Sequence, residues 1–495
     1  MTKSNGVDLR AIAYQAMTDR GFRVDFSSSV QNEIAKAREP DFSSLGIPDL
    51  SNLLWSSIDN DDSRDLDQCE YLEAGAGAGD RVYVAIADVS HFVPLGSAVD
   101  DAATQNTTSV YTGVVTFPML PEELSTDLSS LNEGVKRLAI VVQMDIVDGQ
   151  VTASKVYPAV IKNHAQLTYN GIATFLEEWP EPHSDITRRV LSKVNGIPGL
   201  KEQIIAADRI AQSLRARRFD IGALDFRMPE LRPEVNEDGT ISLGTHETNR
   251  ATQIIEEFMI ASNTTVAAFL DESGVASIQR VVKTPKNWPR IVTLANQYGW
   301  RLPSFPDGEA LQAFLADQIK KDPDRFPDLS LAIIKLLGRG EYVVKAPEEA
   351  GPGHFGLAAS NYLHGSAANR RYPDLGDQRV LLNLLAGKES PYTTTELADL
   401  AAWCTQREGE AKKVERQVQK SIAAVALMPR IGEMFAGFIT GSSDKGVYVR
   451  IADPPVEGKV DGKAKGLEVG DSVDVRLVST DPYKGYIDFE VERKR

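Results

Sequence analysis

At 495 residues, 42% apolar and 25% charged, with a formal net charge of −16 at pH 7, the chain has the composition of an ordinary soluble globular protein with room for roughly two to four domains. The acidic balance counts against a protein that coats duplex nucleic acid, since many Lys and Arg are needed to displace counterions there; it leaves room for a channel that is positive only along the path of one strand. Cys69 and Cys404 lie far apart without close Cys or His spacing, which argues against a disulfide scaffold or structural zinc site, and with neither a signal peptide nor a membrane-length apolar run the expectation is a cytoplasmic protein with no membrane association.

Leu9, Ile12, Ala13, Ala16 and Met17 follow helical spacing, and Ser27, Ser28 and Ser29 precede a second short helix carrying Val30 and Ile34. The reading is a small helical N-terminal region, residues 1–52, either a winged-helix-like nucleic-acid binder or a lid, with Pro40 and Pro48 in its linker to the main body.

The stretch from Ser57 to Gln68 then packs five carboxylates together: Asp59, Asp61, Asp62, Asp65 and Asp67. Like charges held so close raise one another's pKa or repel the chain apart, so a bound hard cation, Mg²⁺ or Mn²⁺, is the means of keeping them ionised. A calcium loop is one alternative, because Asp59, Asp61, Ser63, Asp65, Asp67 and Glu70 fall at EF-hand positions 1, 3, 5, 7, 9 and 12. Arg64 stands where that loop needs Gly, however, and residues 81–86 read as a strand where the motif requires a helix. A solvated acidic turn is the other alternative.

Residues 53–428 show no clean break. Short strands at 82–87 and 139–145 give way to long helical stretches, which predicts a large mixed α+β domain, too large for a simple barrel. Gly75, Gly77 and Gly79 could suggest a nucleotide-binding loop, but no helix follows them, and a hairpin turn is the expectation. Residues 429–495 change character: strands at 434–440, 446–451, 472–478 and 486–491 with Gly-rich turns suit a five-stranded OB-fold barrel. Of its aromatics Phe435, Phe438, Tyr448, Tyr486 and Phe489, at least half are expected to fill the core, the others being free to stack bases.

Five motifs occur in order: the acidic run, Val84-Ala85-Ile86-Ala87-Asp88-Val89-Ser90-His91-Phe92-Val93, Phe117-Pro118-Met119-Leu120-Pro121, His354-Phe355-Gly356-Leu357 and Asn369-Arg370-Arg371-Tyr372-Pro373-Asp374-Leu375. Together they make the chain resemble the ribonuclease II / ribonuclease R (RNB) family over nearly 370 residues, with a C-terminal segment that resembles an S1 RNA-binding domain. The resemblance implies a large RNB catalytic domain and an S1-type barrel. It also implies a processive, hydrolytic, Mg²⁺-dependent 3′→5′ exoribonuclease that threads single-stranded RNA into a buried channel and releases nucleoside 5′-monophosphates, without an organic cofactor and as a monomer. Phosphodiester hydrolysis calls for an activated water and for charge stabilisation at the phosphate, tasks that carboxylate-held divalent ions perform.

By that resemblance Asp59, Asp65 and Asp67 match three metal-site aspartates of the family, while the fourth position is Gln68, a neutral donor that weakens the hold on a second ion. Activity is the expectation, and a catalytically impaired RNA-binding or regulatory protein the alternative. Arg370 matches the arginine at the scissile phosphate, although its lead-in, Ser366-Ala367-Ala368-Asn369, departs from the usual Thr-Ser-Pro-Ile; Arg371 is expected to be structural. Tyr111, seven residues before Pro118, and Phe226 match the aromatic pair that stacks the 3′-terminal bases, with a core role the alternative for Phe226. Tyr169 and Glu256 match contacts to the terminal nucleotide, and Glu415 does so more loosely; Glu256 and Glu257 could equally pair locally. Tyr448 is the RNA-binding candidate of the barrel, while Asp88 and His91 are expected to support the fold. Family members usually carry two cold-shock barrels before the acidic motif, where about fifty residues stand here, so a more open channel mouth and a weaker grip on long strands are expected.

Overall fold

The computed structural model describes residues 3–494 except 5, 76, 78, 182, 228–229, 236–240, 247, 324, 444–445, 452, 463–465 and 469. Helix α1 (Leu9–Asp19) starts where the Asp8 carboxylate accepts the Ala11 N–H, and α2 (Ser28–Ile34) starts on the Ser27 hydroxyl, each side chain satisfying a donor left over at a helix start. The two helices hold on in different places. The face Leu9, Ile12, Ala13, Ala16 and Met17 packs with Val414, Val418 and Ile422 and with Val110 and Phe117, whereas Val30 and Ile34 enter the main core.

That core is built around a closed barrel of β1 (Trp55–Asp59), β2 (Gln68–Glu73), β3 (Asp80–Ala87), β4 (Lys136–Val147) and β5 (Gln150–Thr168). Successive strands pair antiparallel, and β5 closes on β1 in parallel, with Asp59 opposite Thr168. The body judged too large for a simple barrel therefore contains one. Its first strand, Trp-Ser-Ser-Ile-Asp, is buried at every position and shows no alternation, which is why periodicity passed over it. The Gly-rich run links β2 to β3 as a hairpin, with Gly75 and Gly77 at φ +68° and +76°; Ala76 and Ala78 lie outside the described residues.

Helices α3 (Ala98–Asn106), α4 (Tyr169–Glu178), α5 (Leu200–Asp220) and α6 (Arg250–Glu272) wrap this barrel, and α6 lies against β1, β3, β4 and β5. Helices Trp288–Gln297, Gly308–Lys321 and Phe326–Leu337 share a separate small core. After α7 (Tyr372–Leu385) comes α8 (Thr394–Leu427), opened by a capping box between Thr393 and Glu396. This one helix joins three cores: Leu397, Ala401 and Cys404 in the main one, Val414, Val418 and Ile422 under α1, and Ala423, Ala424 and Leu427 in the C-terminal barrel.

The second closed barrel has the order β6 (Met434–Ser443), β7 (Gly446–Ile451), β8 (Glu457–Asp461), β10 (Tyr486–Lys494), β9 (Ser472–Asp481). Its strands alternate between buried and open positions. Of the five aromatics, Phe435 and Phe489 are in the core, Phe438 and Tyr448 are half-buried and Tyr486 is exposed. Fewer than half thus fill the core, because the branched aliphatics on the inward positions already occupy it. Both cysteines are buried free thiols, and no described helix is long and apolar enough to cross a membrane.

Candidate active site at the rim of the first barrel

Strand register places the acidic residues. Asp59 ends β1, and the residue opposite it, Thr168, caps α4, whose first residue is Tyr169. The chain returns to the barrel at Gln68, opposite Ile86, after the Asp67 carbonyl accepts the Ala87 N–H at 3.0 Å. The intervening loop is pinned: the Ser130 hydroxyl accepts Leu66 N–H and donates to the Arg64 carbonyl, both at 2.9 Å, and Gln166 Nε2 donates to the Ser63 carbonyl at 3.2 Å. It joins strand to strand, without the flanking helices of a calcium hand. Asp61 accepts Asn170 Nδ2 at 2.7 Å away from the cavity, whereas Arg64 and Glu122, 3.8 Å apart and mostly exposed, stand on the cavity wall.

Arg370 arrives from the lead-in to α7. Its carbonyl accepts the Ser109 N–H at 3.0 Å, and Asp374, fully buried in the first turn of α7, accepts Ala367 N–H and holds Arg371 at 2.7 Å. Arg371 is thereby occupied within its own turn. Arg370 instead extends to the acidic residues, where its Nε donates to Asp67 Oδ2 at 2.9 Å.

Asp59, Asp65, Asp67, Gln68, Tyr111, Tyr169 and Arg370 all line one cavity of about 1080 Å³. Asp59, Asp67 and Gln68 are buried and Asp65 is half-buried. Burial, reinforced by the Asp67 and Asp65 carboxylates, raises Asp59 to about 7, and burial raises Asp67 to about 6 despite Arg370. Gln68 Nε2 donates to Asp59 Oδ1 at 3.4 Å. Burial likewise raises the phenols of Tyr111 and Tyr169.

Two short strand segments, Val110–Tyr111 and Thr116–Phe117, pair so that Tyr111 lies opposite Thr116 at the cavity wall. Its hydroxyl donates to Asp65 Oδ2 at 3.4 Å and its backbone N–H to Glu415 of α8 at 3.2 Å, so Glu415 is brought to the back of Tyr111. Phe226 and Glu256 are not brought into this cavity. They line a neighbouring one of about 550 Å³ with Arg215 and Arg218, which stand 3.7 and 3.4 Å from Glu256. Helix α6 is the partition, since its Ile255 and Met259 line the acidic cavity and its Gln253 and Glu256 the other. Glu257, buried, takes Arg218 at 2.5 Å. Phe226 packs against the small helical core, and the Leu224 N–H of its segment donates to the Gly356 carbonyl at 2.9 Å. Tyr448, on the outside of the second barrel opposite Lys459, is in neither cavity. Asp88 accepts Ser90 Oγ at 2.8 Å and His91 N–H at 3.2 Å, a turn held from within.

Two buried groups at the site carry no role in the sequence-based expectation. Glu70, opposite Ser56 on β2, has an unpartnered Oε1, and burial with Asp59 beside it raises its carboxyl well above the usual range; it had been noticed only as an EF-hand position. Asn369 lines the acidic cavity with neither amide atom partnered. The signal for Asn369 was available in the departure from the family lead-in.

Asp59 Oδ2 and Asp67 Oδ1 are buried and have no hydrogen-bond partner. Anionic oxygens left bare in this way suit a hard divalent cation, which would also reverse the upward pKa shifts. As the side chains lie, no three Asp, Glu, His or Cys groups among the described residues converge closely enough to hold an ion, because Asp65 is turned to Tyr111 and Asp67 to Arg370. The donor set fits such an ion once those two carboxylates turn inward.

A closed barrel whose rim gathers aspartates and one distant arginine, joined through one long helix to a second five-stranded barrel, defines a class that comparison with known proteins resolves. The RNB domain model matches residues 47–387, and the model of the RNase II-type exonuclease C-terminal S1 domain matches residues 433–492. Ribonuclease R 2 of Lactococcus lactis is 30% identical over 474 residues, spanning 89% of this chain and 69% of that protein. Ribonuclease R of Escherichia coli is 28% identical over 501 residues, spanning 94% and 60%. The structure of Mycoplasma genitalium RNase R in complex with ribose-methylated single-stranded RNA has a TM-score of 0.86 at 22% identity, covering 98% of this chain and 78% of that one. Yeast Ssd1, described as a pseudonuclease, has a TM-score of 0.71 at 14% identity, covering 95% and 58%. The chain belongs to the RNB family.

Proposed function

We propose that this protein is a 3′→5′ hydrolytic exoribonuclease acting on single-stranded RNA, as the ribonuclease R relatives' names suggest, with residues 1–52, 53–428 and 429–495 as N-terminal region, catalytic domain and S1 domain. The observation that carries the reading is the meeting of Arg370 with Asp67 at 2.9 Å beside the bare oxygens of Asp59 and Asp67. Asp59, Asp65, Asp67 and Gln68 would hold Mg²⁺, with Mn²⁺ able to substitute. When bound, the metal supplies an activated water and neutralises charge on the phosphate.

The chain's own residues do the rest. Arg370 addresses the phosphate, exchanging its contact with Asp67 for the charge that builds as the bond breaks. Tyr111 offers a ring for a terminal base, which suits digestion of any sequence because every base has a face to stack. Tyr169 contacts the terminal nucleotide. Phe226 and Glu256 reach it only if the strand end passes the edge of α6. Tyr448 gives the S1 barrel a stacking surface for RNA farther upstream. The protein acts as a cytoplasmic monomer without an organic cofactor.

Gln68 favours the rival reading, an RNA-binding or regulatory protein without catalysis. One assay decides. With 5′-labelled single-stranded RNA and Mg²⁺ or Mn²⁺, the expected result is a ladder shortening from the 3′ end that Asp67→Asn slows by about 10³-fold or more. Retention of RNA without shortening would establish the rival.

A further inference from the structure

Asn369 is 1% exposed, and its Oδ1 and Nδ2 both lack a partner, although the residue lines the acidic cavity. Leaving a buried donor and acceptor unmade is costly, so such a group in a cavity wall is one whose partner arrives with a ligand. The family lead-in to the arginine ends in an apolar Ile; here that position holds a carboxamide, next in the chain to Arg370.

The two orphaned atoms restrict what the partner can be. A phosphate oxygen only accepts and would leave Oδ1 bare, and a cation would leave the amide N–H₂ bare. A hydroxyl both donates and accepts. The group of that kind close to a phosphate is the ribose 2′-hydroxyl, which also separates RNA from DNA. Of the two residues matched to the terminal nucleotide, Glu256 sits on the other face of α6, engaged by Arg215 and Arg218, while Tyr169 shares the cavity with Asn369, the wall residue that lies next to Arg370 in the chain with both polar atoms unpartnered.

We propose that Asn369 is a specificity-determining residue that binds the 2′-hydroxyl flanking the phosphate addressed by Arg370, a proposal that rests on the reading of this cavity as an RNA site. Recognition then uses both neighbours, the guanidinium for the anion and the carboxamide for the sugar.

The test measures binding in EDTA, where no turnover occurs, by fluorescence anisotropy of labelled oligo(A) and oligo(U) ribonucleotides carrying a single 2′-deoxy substitution at each 3′-terminal position in turn. For the native protein one position should cost roughly three- to tenfold in affinity, with both bases. In Asn369→Ala and in Asn369→Ile that penalty should vanish, because the all-ribose strand weakens while the deoxy-substituted strand does not. The melting temperature of the variants should not fall, since the side chain removed had no partner in the free protein. A penalty that persists in both variants, the absence of any penalty in the native protein, or a penalty that follows the base rather than the hydroxyl overturns the proposal. If the penalty behaves as expected but Mg²⁺ brings no shortening, the nuclease reading fails while this one stands.

Discussion

The molecule contains two closed five-stranded barrels, and they differ in what surrounds them. The first is wrapped by α3 to α6, and its opening strand is buried at every position. The second leaves alternate positions of its strands to solvent and, among the described residues, shares its core with the last turns of α8 alone. An enclosed barrel can hold carboxylates with bare oxygens, because the helices around it supply the packing energy that offsets their burial. A closed barrel left uncovered cannot strain polar groups in this way, but it offers a face on which a strand can lie. Under the proposed function, the S1 barrel would gather RNA and the RNB barrel would act on it.

The largest effect expected from testing that division is on the second barrel's fold. Phe489 is fully buried, and its ring leaves no room for a side chain at residue 458, where Gly458 sits. Phe489→Ala should destabilise this barrel by about 3–5 kcal/mol, measured by denaturant unfolding, while shortening of brief oligonucleotides persists; loss of both together would show that the barrels are not separable. Next comes Arg370→Ala, which should lower kcat by about 10²- to 10³-fold with little change in RNA affinity, since the S1 face is untouched. A loss confined to affinity would mean that Arg370 serves only to dock the strand.

The buried carboxylates of the first barrel predict a pH signature. Asp59 and Asp67 have native-state values raised to about 7 and about 6, so between the ordinary carboxylate range and those values the native state holds protons that the unfolded chain releases. In metal-free protein the stability these two groups contribute should therefore be lost as pH rises through 6 and 7. Because burial holds His354 and His364 below the ordinary imidazole range and so works the other way over this interval, calorimetry should show the signature as a difference: from pH 5 to pH 7.5 the change in melting temperature of the native protein should be about 2–5 °C less favourable than that of Asp59→Asn; Mg²⁺ should close that gap by stabilising the native protein at pH 7.5 and have little effect at pH 5. The smallest effect is that of Gln68→Asp. Restoring a fourth carboxylate should lower the Mg²⁺ concentration giving half the maximal rate by roughly three- to tenfold, read from rate against metal concentration; an unchanged requirement would mean that residue 68 takes no part in holding the ion.

Much of the second barrel was legible because its strands alternate, and the helices near Leu9 and Val30 were legible because their apolar spacing and Asp8 and Ser27 caps are local. The first barrel was not: Ser56, Ser57 and Asp59 are polar residues in a buried strand, and no local rule reads them as such. The acidic residues and Arg370 were nameable from motifs, but Phe226 and Glu256, named with the same reasoning, line the neighbouring cavity that α6 separates from them.

What the chain determined by itself is its local chemistry: which carboxylates cluster, where the arginine stands, which segments are amphipathic and which family pattern they follow. The tertiary structure decided which of these groups meet. Asp59 and Thr168 became neighbours through a parallel pairing across the whole barrel, and Arg370 reached Asp67 from about three hundred residues away. Burial leaves both amide atoms of Asn369 without a partner. Contacts of that kind depend on register, closure and desolvation, which are properties of the assembled barrel and its helices and of no single segment.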